Sequence, residues 1–250
     1  MASIRSLDIF DIARALGQRP FSATPRSVAD WLGLEYANRR GGGFNYDTAI
    51  SVVHDAFRGG HTMESAVDYC LNYGNPKGRR QNASAIKAIM PYALEHPSDC
   101  HRIGLTAVAI GRYSGRTVFA KLKTPMVRVE GDRAFVVMPG FRMSYRPRDI
   151  EIDLACSVAR ETFAQGDLSV ADSEYLYAGP GPDVTAKGDR PRMFRAIHGK
   201  DRHQFSLEQI NRLLDVFVQG VALASEAGLD SREPLLSGYR IIDPNQPGMF

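Results

Sequence analysis

The chain has 250 residues, 44% of them hydrophobic and 24% charged, with a formal net charge of +3. That length can bury a full core, and no apolar run approaches the roughly 18 residues of a membrane span, so no membrane partner is expected. The opening M-A-S-I-R-S-L-D-I-F-D lacks a basic segment followed by an apolar one, and Cys70, Cys100 and Cys156 are widely spaced with no C-x-x-C pair. Together these predict a cytoplasmic protein with reduced thiols, no secretory leader and no disulfide framework.

Residues 3–16 place Ile4, Leu7, Ile9, Ile12 and Leu16 near one helical face, with Gly17 as the stop. Thr24-Pro25 reads as an N-cap followed by proline at the first helical position. The phrase S-V-A-D-W-L-G-L has the cadence of a helix-turn-helix, but E-Y-A-N-R-R runs into Gly41-Gly42-Gly43, where a recognition helix would not form. A solvated connector is expected there. Helices follow over 46–58 and 62–73, then a basic turn with Lys77, Arg79 and Arg80, then a helix containing Pro91, which should kink or end it. Residues 1–100 thus read as a helical lobe.

From Leu105 the period changes. L-T-A-V-A-I-G-R-Y turns at Ser114-Gly115, R-T-V-F-A-K-L-K-T-P-M-V-R-V turns at Glu130-Gly131-Asp132, and R-A-F-V-V-M-P-G-F-R-M runs back. Short glycine-containing turns between such runs predict a three-stranded antiparallel meander. A helix is expected from Pro147 to Phe163 with Ile150, Leu154, Val158 and Thr162 in step. Strands follow at S-E-Y-L-Y-A and R-M-F-R-A-I-H-G, separated by a Gly/Pro-rich loop. Ser206 and Gln209 form a capping box for a last helix with the stripe Leu207, Ile210, Leu214, Phe217 and Val221, ended by Gly228. The predicted class is α+β: a helical N-terminal lobe (1–100) packed on a mainly antiparallel sheet within an α+β region (101–228). An extended tail (229–250) closes the chain and is a candidate homo-oligomer contact.

Residues 101–148 carry 10 Lys/Arg against 2 Asp/Glu, while residues 149–250 carry 10 against 16. Alternation in V-F-A-K-L-K sets Lys121 and Lys123 on one face and Ala120 and Leu122 on the other. Two functions fit. One is a nucleic-acid-associated protein binding DNA or RNA through Lys121, Lys123, Arg128, Arg142, Arg146 and Arg148. The other is a scaffold whose basic sheet meets acidic helices of its own or a neighbouring chain. His96, Asp99, Cys100 and His101 are the densest set of metal-ligand types, but no second pair completes a zinc site, so no metal and no cofactor are expected. His198 and His203 flank the turn G-K-D-R and read as exposed.

From about Pro91 to Gly228 the order of helix, three-stranded meander, helix, strand and helix resembles the restriction-endonuclease-like (PD-(D/E)XK) nuclease superfamily. The resemblance implies an Asp on the second strand, and an acid, a spacer and a Lys on the third, together holding Mg²⁺ and activating water. This chain has K-L-K and F-R-M at those places, so the resemblance implies a catalytically silent core with no catalytic residue, unless Glu130, Asp132 or Glu64 supplies the acids.

Overall fold

The computed structural model describes residues 3–38, 45–163, 166–182, 191–229 and 232–243. The connector around Gly41-Gly42-Gly43, the loop over 183–190 and residues 244–250 lie outside them. The class is α+β, as the sequence predicts.

The chain opens with strand β1 (Ser6–Asp8) and only then enters helix α1 (Ile9–Leu16). This corrects the expected helix over 3–16. Asp8 is the reason, since its carboxylate accepts the Phe10 N–H at 3.1 Å and starts the helix there. Helix α2 (Pro25–Asn38) begins where Thr24 and Ser27 exchange side-chain-to-backbone hydrogen bonds. Helices α3 (Asp47–Phe57) and α4 (Met63–Asn72) follow, the latter capped by Thr62 and Ser65. Helix α5 (Arg79–Glu95) runs through Pro91 rather than ending at it. Pro91 and Lys87, whose carbonyl loses its donor there, are both exposed, so water meets the freed group.

The remaining strands are β2 (Asp99–Arg102), β3 (Leu105–Tyr113), β4 (Arg116–Leu122), β5 (Met126–Glu130), β6 (Arg133–Gly140), β7 (Asp172–Pro180), β8 (Arg192–His198) and β9 (Tyr239–Ile242). Helix α6 (Asp149–Phe163) lies between β6 and β7, and α7 (Leu207–Glu226) follows β8. The strands form two sheets, β1-β4-β3-β9 and β2-β5-β6-β7-β8. The single expected meander is therefore divided. Pairs β3–β4 and β2–β5 are two halves of one long antiparallel ribbon, bent between the Arg102–Met126 and Thr106–Leu122 pairs, where Gly104 has φ 77°. The Ile103 N–H donates to the Pro125 carbonyl at 3.2 Å and pins the bend. The expected turns at Ser114-Gly115 and Gly131-Asp132 are present, with left-handed φ at Ser114, Gly115 and Gly131.

Two hydrophobic cores result. One joins α1, α2, α6 and α7 to the four-stranded sheet and to Val127, Val136, Tyr175 and Ile197 of the five-stranded sheet. The other covers the opposite face of the five-stranded sheet, where Phe57, Ile86 and Ile89 from α3 and α5 meet Met126, Val137 and Leu176. The first 100 residues are thus shared between both cores. Helix α6 crosses between the parallel strands β6 and β7 and is buried nearly all round, including Glu151 and Asp153. Helix α7 buries Ile210, Leu214, Phe217 and Val221 as its periodicity predicts, while Leu207 stays 55% exposed. It crosses α2 at Gly220, where a Cβ would come within 2.5 Å of Val28. The expected extended tail includes β9, which pairs in parallel with β3. Among the described residues no helix is long and apolar enough to cross a membrane.

Candidate nucleic-acid interface

Strand β4 buries Ala120 and Leu122 and turns Lys121 outward, and Lys123 follows directly after its end, half-buried. Asp8, which caps α1, stands opposite Lys121 in the β1–β4 register, and its carboxylate lies 3.4 Å from Lys123 Nζ. Lys121 instead donates to the Leu235 carbonyl at 3.2 Å and sits 5.0 Å from the Tyr239 ring. Burial beneath that tail, followed by repulsion from Lys123, lowers the Lys121 ammonium pKa.

One turn further along α1, Asp11 is 3.4 Å from Arg142 and 3.6 Å from Arg14. The Arg14 guanidinium lies 4.7 Å from the Tyr145 ring, and the Tyr145 hydroxyl donates to Glu151. Glu151 accepts the Arg148 backbone N–H at 2.8 Å and its Nε at 2.6 Å. Beyond Arg148 lies a cleft that also takes in Arg146, Tyr177 and Arg195. Lys121, Lys123, Arg142, Arg148 and Arg146 therefore follow one chain of contacts along α1 and the start of α6.

Arg128 does not belong to that surface. It is fully buried, because alternation on β5 aims Met126, Arg128 and Glu130 at the face covered by α3 and α5. Its guanidinium grips Glu174 of β7 with two bonds, Nε to Oε2 at 2.7 Å and Nη2 to Oε1 at 2.6 Å. Nη1 donates to Glu130 at 2.8 Å and Ser98 at 3.0 Å, and Nη2 also reaches the Tyr92 hydroxyl at 3.2 Å. All five donors of the fork thus find acceptors. Phe135 and Phe57 lie 4.3 and 5.0 Å from the guanidinium carbon. Nothing of this side chain is left for a phosphate.

The H-P-S-D-C-H segment is drawn into the same network. His96 Nδ1 is 2.8 Å from Glu130, and burial pushes the Cys100 thiol up to about 11. Asp99 and His101 are exposed on β2. Among the described residues no group of three or more His, Cys, Asp or Glu side chains could hold a metal ion. Glu130, Asp132 and Glu64 are not gathered either: Asp132 is exposed in a hairpin turn and Glu64 on the first turn of α4. His198 is only partly exposed and stacks near Phe135, not on an open turn.

Sequence reasoning missed Glu174 and Arg195. Glu174 carried a signal, a lone acid in the apolar strand S-E-Y-L-Y-A, answering the lone Arg in V-R-V. Arg195 carried none, since F-R-A reads like any edge strand.

Glu130 sets a pH dependence. Burial alone would raise its carboxyl, but hydrogen bonds from Arg128 and His96 outweigh it and bring it from 4.5 to about 2. A depressed carboxyl contributes its full stabilisation above the unfolded value and loses it as pH falls through the folded one. Stability should therefore fall between pH 4.5 and about 2. Urea unfolding over that window should show a smaller fall for Glu130→Gln than for the parent chain. Parallel curves would mean that Glu130 is not held by this network.

No protein-family model matches the chain, and no curated protein matches its sequence.

Proposed function

We propose that this is a nucleic-acid-associated protein that holds strand phosphates along Lys121, Lys123, Arg142, Arg148 and Arg146 and does not cut them. The observation that carries the reading is the continuity of those five residues, brought from the end of β4 and from the segment between β6 and α6 onto one path. Each remains at least partly exposed although four have a partner in the chain. Phosphate contacts position a strand without reading its bases, so binding should be weak in sequence preference.

The nuclease-like part of the proposal draws support from the five-stranded sheet. Helix α5, antiparallel β2, β5 and β6, helix α6 and parallel β7 follow the element order of the resemblance, once the β3–β4 end of the ribbon is set aside. On this assignment the second strand is β5, which carries Arg128 at its centre, and the third is β6, which carries no acid. A buried arginine cannot bind Mg²⁺, and Glu130 is already engaged by Arg128 and His96.

The assembly reading has its own support. Lys123, Arg142 and Arg148 already pair with Asp8, Asp11 and Glu151, and Leu235 in the tail is 77% exposed. A fluorescence-anisotropy titration with labelled single- and double-stranded oligonucleotides at several salt concentrations separates the two. Affinity should fall with salt, and the triple variant Lys121→Gln/Lys123→Gln/Arg142→Gln should reduce the slope by about 0.7–0.9 per lost phosphate contact. Substrate should stay intact with Mg²⁺. Absence of binding at the lowest salt, together with self-association by sedimentation, would replace this reading with assembly.

A further inference from the structure

Helix α4 carries its rings on the outside. His61, Ser65, Tyr69 and Tyr73 recur at intervals of four along the helix and its ends, so their side chains form one row. The core beneath takes Ala66 and Cys70 instead. The Tyr69 and Tyr73 rings stack with centroids 4.4 Å apart and planes 24° from parallel, and the His61 ring lies 5.9 Å from Tyr69. Tyr69 is 39% exposed and Tyr73, at the end of the row, 58%. Two stacked rings left in water offer their next layer to a third flat ring.

Positive charge gathers at that end of the row. Lys77 follows Tyr73 by four residues, which holds their Cα atoms within about 14 Å of each other. Arg79 and Arg80 come next, in a first turn of α5 that contains no acid. Among the described residues none of these three side chains has a carboxylate partner, and the buried Arg79 Nε has no acceptor. The acids of α4, Glu64 and Asp68, occupy a neighbouring row, where Asn72 holds Asp68 at 3.0 Å. The start of α5 is also joined to the basic path. Arg192 donates to the Phe141 carbonyl at 2.8 Å, next to Arg142, and to Ser84 at 3.2 Å and Gln81 at 3.5 Å on α5.

A proline-rich peptide lying on the rings would leave the cations unanswered, and an inorganic anion would leave the rings bare. A flat ring carried on an anionic backbone answers both. We infer that Tyr69 and Tyr73 stack an unpaired base of a single strand, with Lys77, Arg79 and Arg80 holding the phosphates beside it. The inference rests on the nucleic-acid reading above and narrows it. Duplex bases are already stacked on one another, so a duplex gains nothing from the rings.

Fluorescence anisotropy with a labelled single strand, and with the same sequence as a duplex, tests the site. Tyr69→Leu/Tyr73→Leu should weaken single-strand binding about ten-fold or more, as losing a base–aromatic stack does, and leave duplex binding unchanged. Tyr69→Phe/Tyr73→Phe keeps both ring faces and should bind like the parent. An abasic strand of the same length removes the bases instead of the rings, and the parent should bind it about ten-fold more weakly. Equal affinity of the parent for the abasic and complete strands overturns the inference, as does an equal loss on single strand and duplex. If strands bind through Lys121, Lys123 and Arg142 but ignore both tyrosines, only the ring site is lost. If the leucine pair weakens binding and the triple glutamine variant does not, only the basic path is lost. Binding of neither form at the lowest salt removes both.

Discussion

Arg128→Met should lower the unfolding free energy by about 3–5 kcal/mol, the loss expected when one partner of a buried ion pair is removed. The reason lies in what stays behind. Glu174 is fully buried on β7 and would keep only the Tyr92 hydroxyl, at 2.6 Å, as a close donor. A carboxylate in that position must take up a proton or draw water into the core. Glu130 would lose its strongest partner at the same time. The double variant Arg128→Met/Glu174→Leu should recover much of the loss, because replacing both charges with apolar groups of similar size is often nearly neutral. Urea unfolding of the parent, single and double variants measures both effects. A single variant as stable as the parent would show that the network contributes nothing to the fold.

Phe217→Ala should destabilise by about 3–5 kcal/mol, through lost burial and the cavity left between α7 and its neighbours. Phe217 is fully buried in the core shared by α1, α2, α6, α7 and the four-stranded sheet. Leu207→Ala on the same helix is the control. It is 55% exposed, and surface changes generally stay within about 0.5 kcal/mol. Similar denaturation midpoints for the two variants would refute the assignment of the buried face.

The features legible in the sequence are those set by neighbours along the chain. Thr62 with Ser65 and Ser206 with Gln209 start helices because a side-chain oxygen meets a backbone N–H two or three residues on. Gly115 and Gly131 make turns because their left-handed backbone suits few other residues. Partnerships over long distances were less legible. Nothing local says that the ribbon bends at Gly104 and Pro125 and feeds two sheets. A three-residue strand such as β1 is too short to show a period, and the i, i+3 spacing of Ile4 and Leu7 serves a helix equally well.

The site divides in the same way. Alternation puts Lys121 on the open face of β4 and Lys123 just past its end, while Ala120 and Leu122 on the other face meet the core. On β5 the same alternation separates Arg128 from Val127 and Val129, but both faces of that sheet are covered, so neither is open. Arg128 reads as a surface base only until its partner Glu174, 46 residues away, is brought beside it.

The four-stranded sheet takes its edges from distant parts of the chain. Strand β1 joins β4, β9 joins β3, and Ser3 and Arg5 both donate to the Arg232 carbonyl across 229 and 227 residues. Closing loops of that length is entropically unfavourable until the contacts that reward it exist, and folds built on such distant pairings form slowly. The β3–β4 hairpin and the five-stranded sheet need no residue beyond 198 for their strand pairings. Docking of 232–243 is therefore expected to come late in folding. Until it occurs, β3 presents an open edge on which another chain can pair, so the interval between hairpin formation and tail docking is when a newly made molecule is most exposed to aggregation.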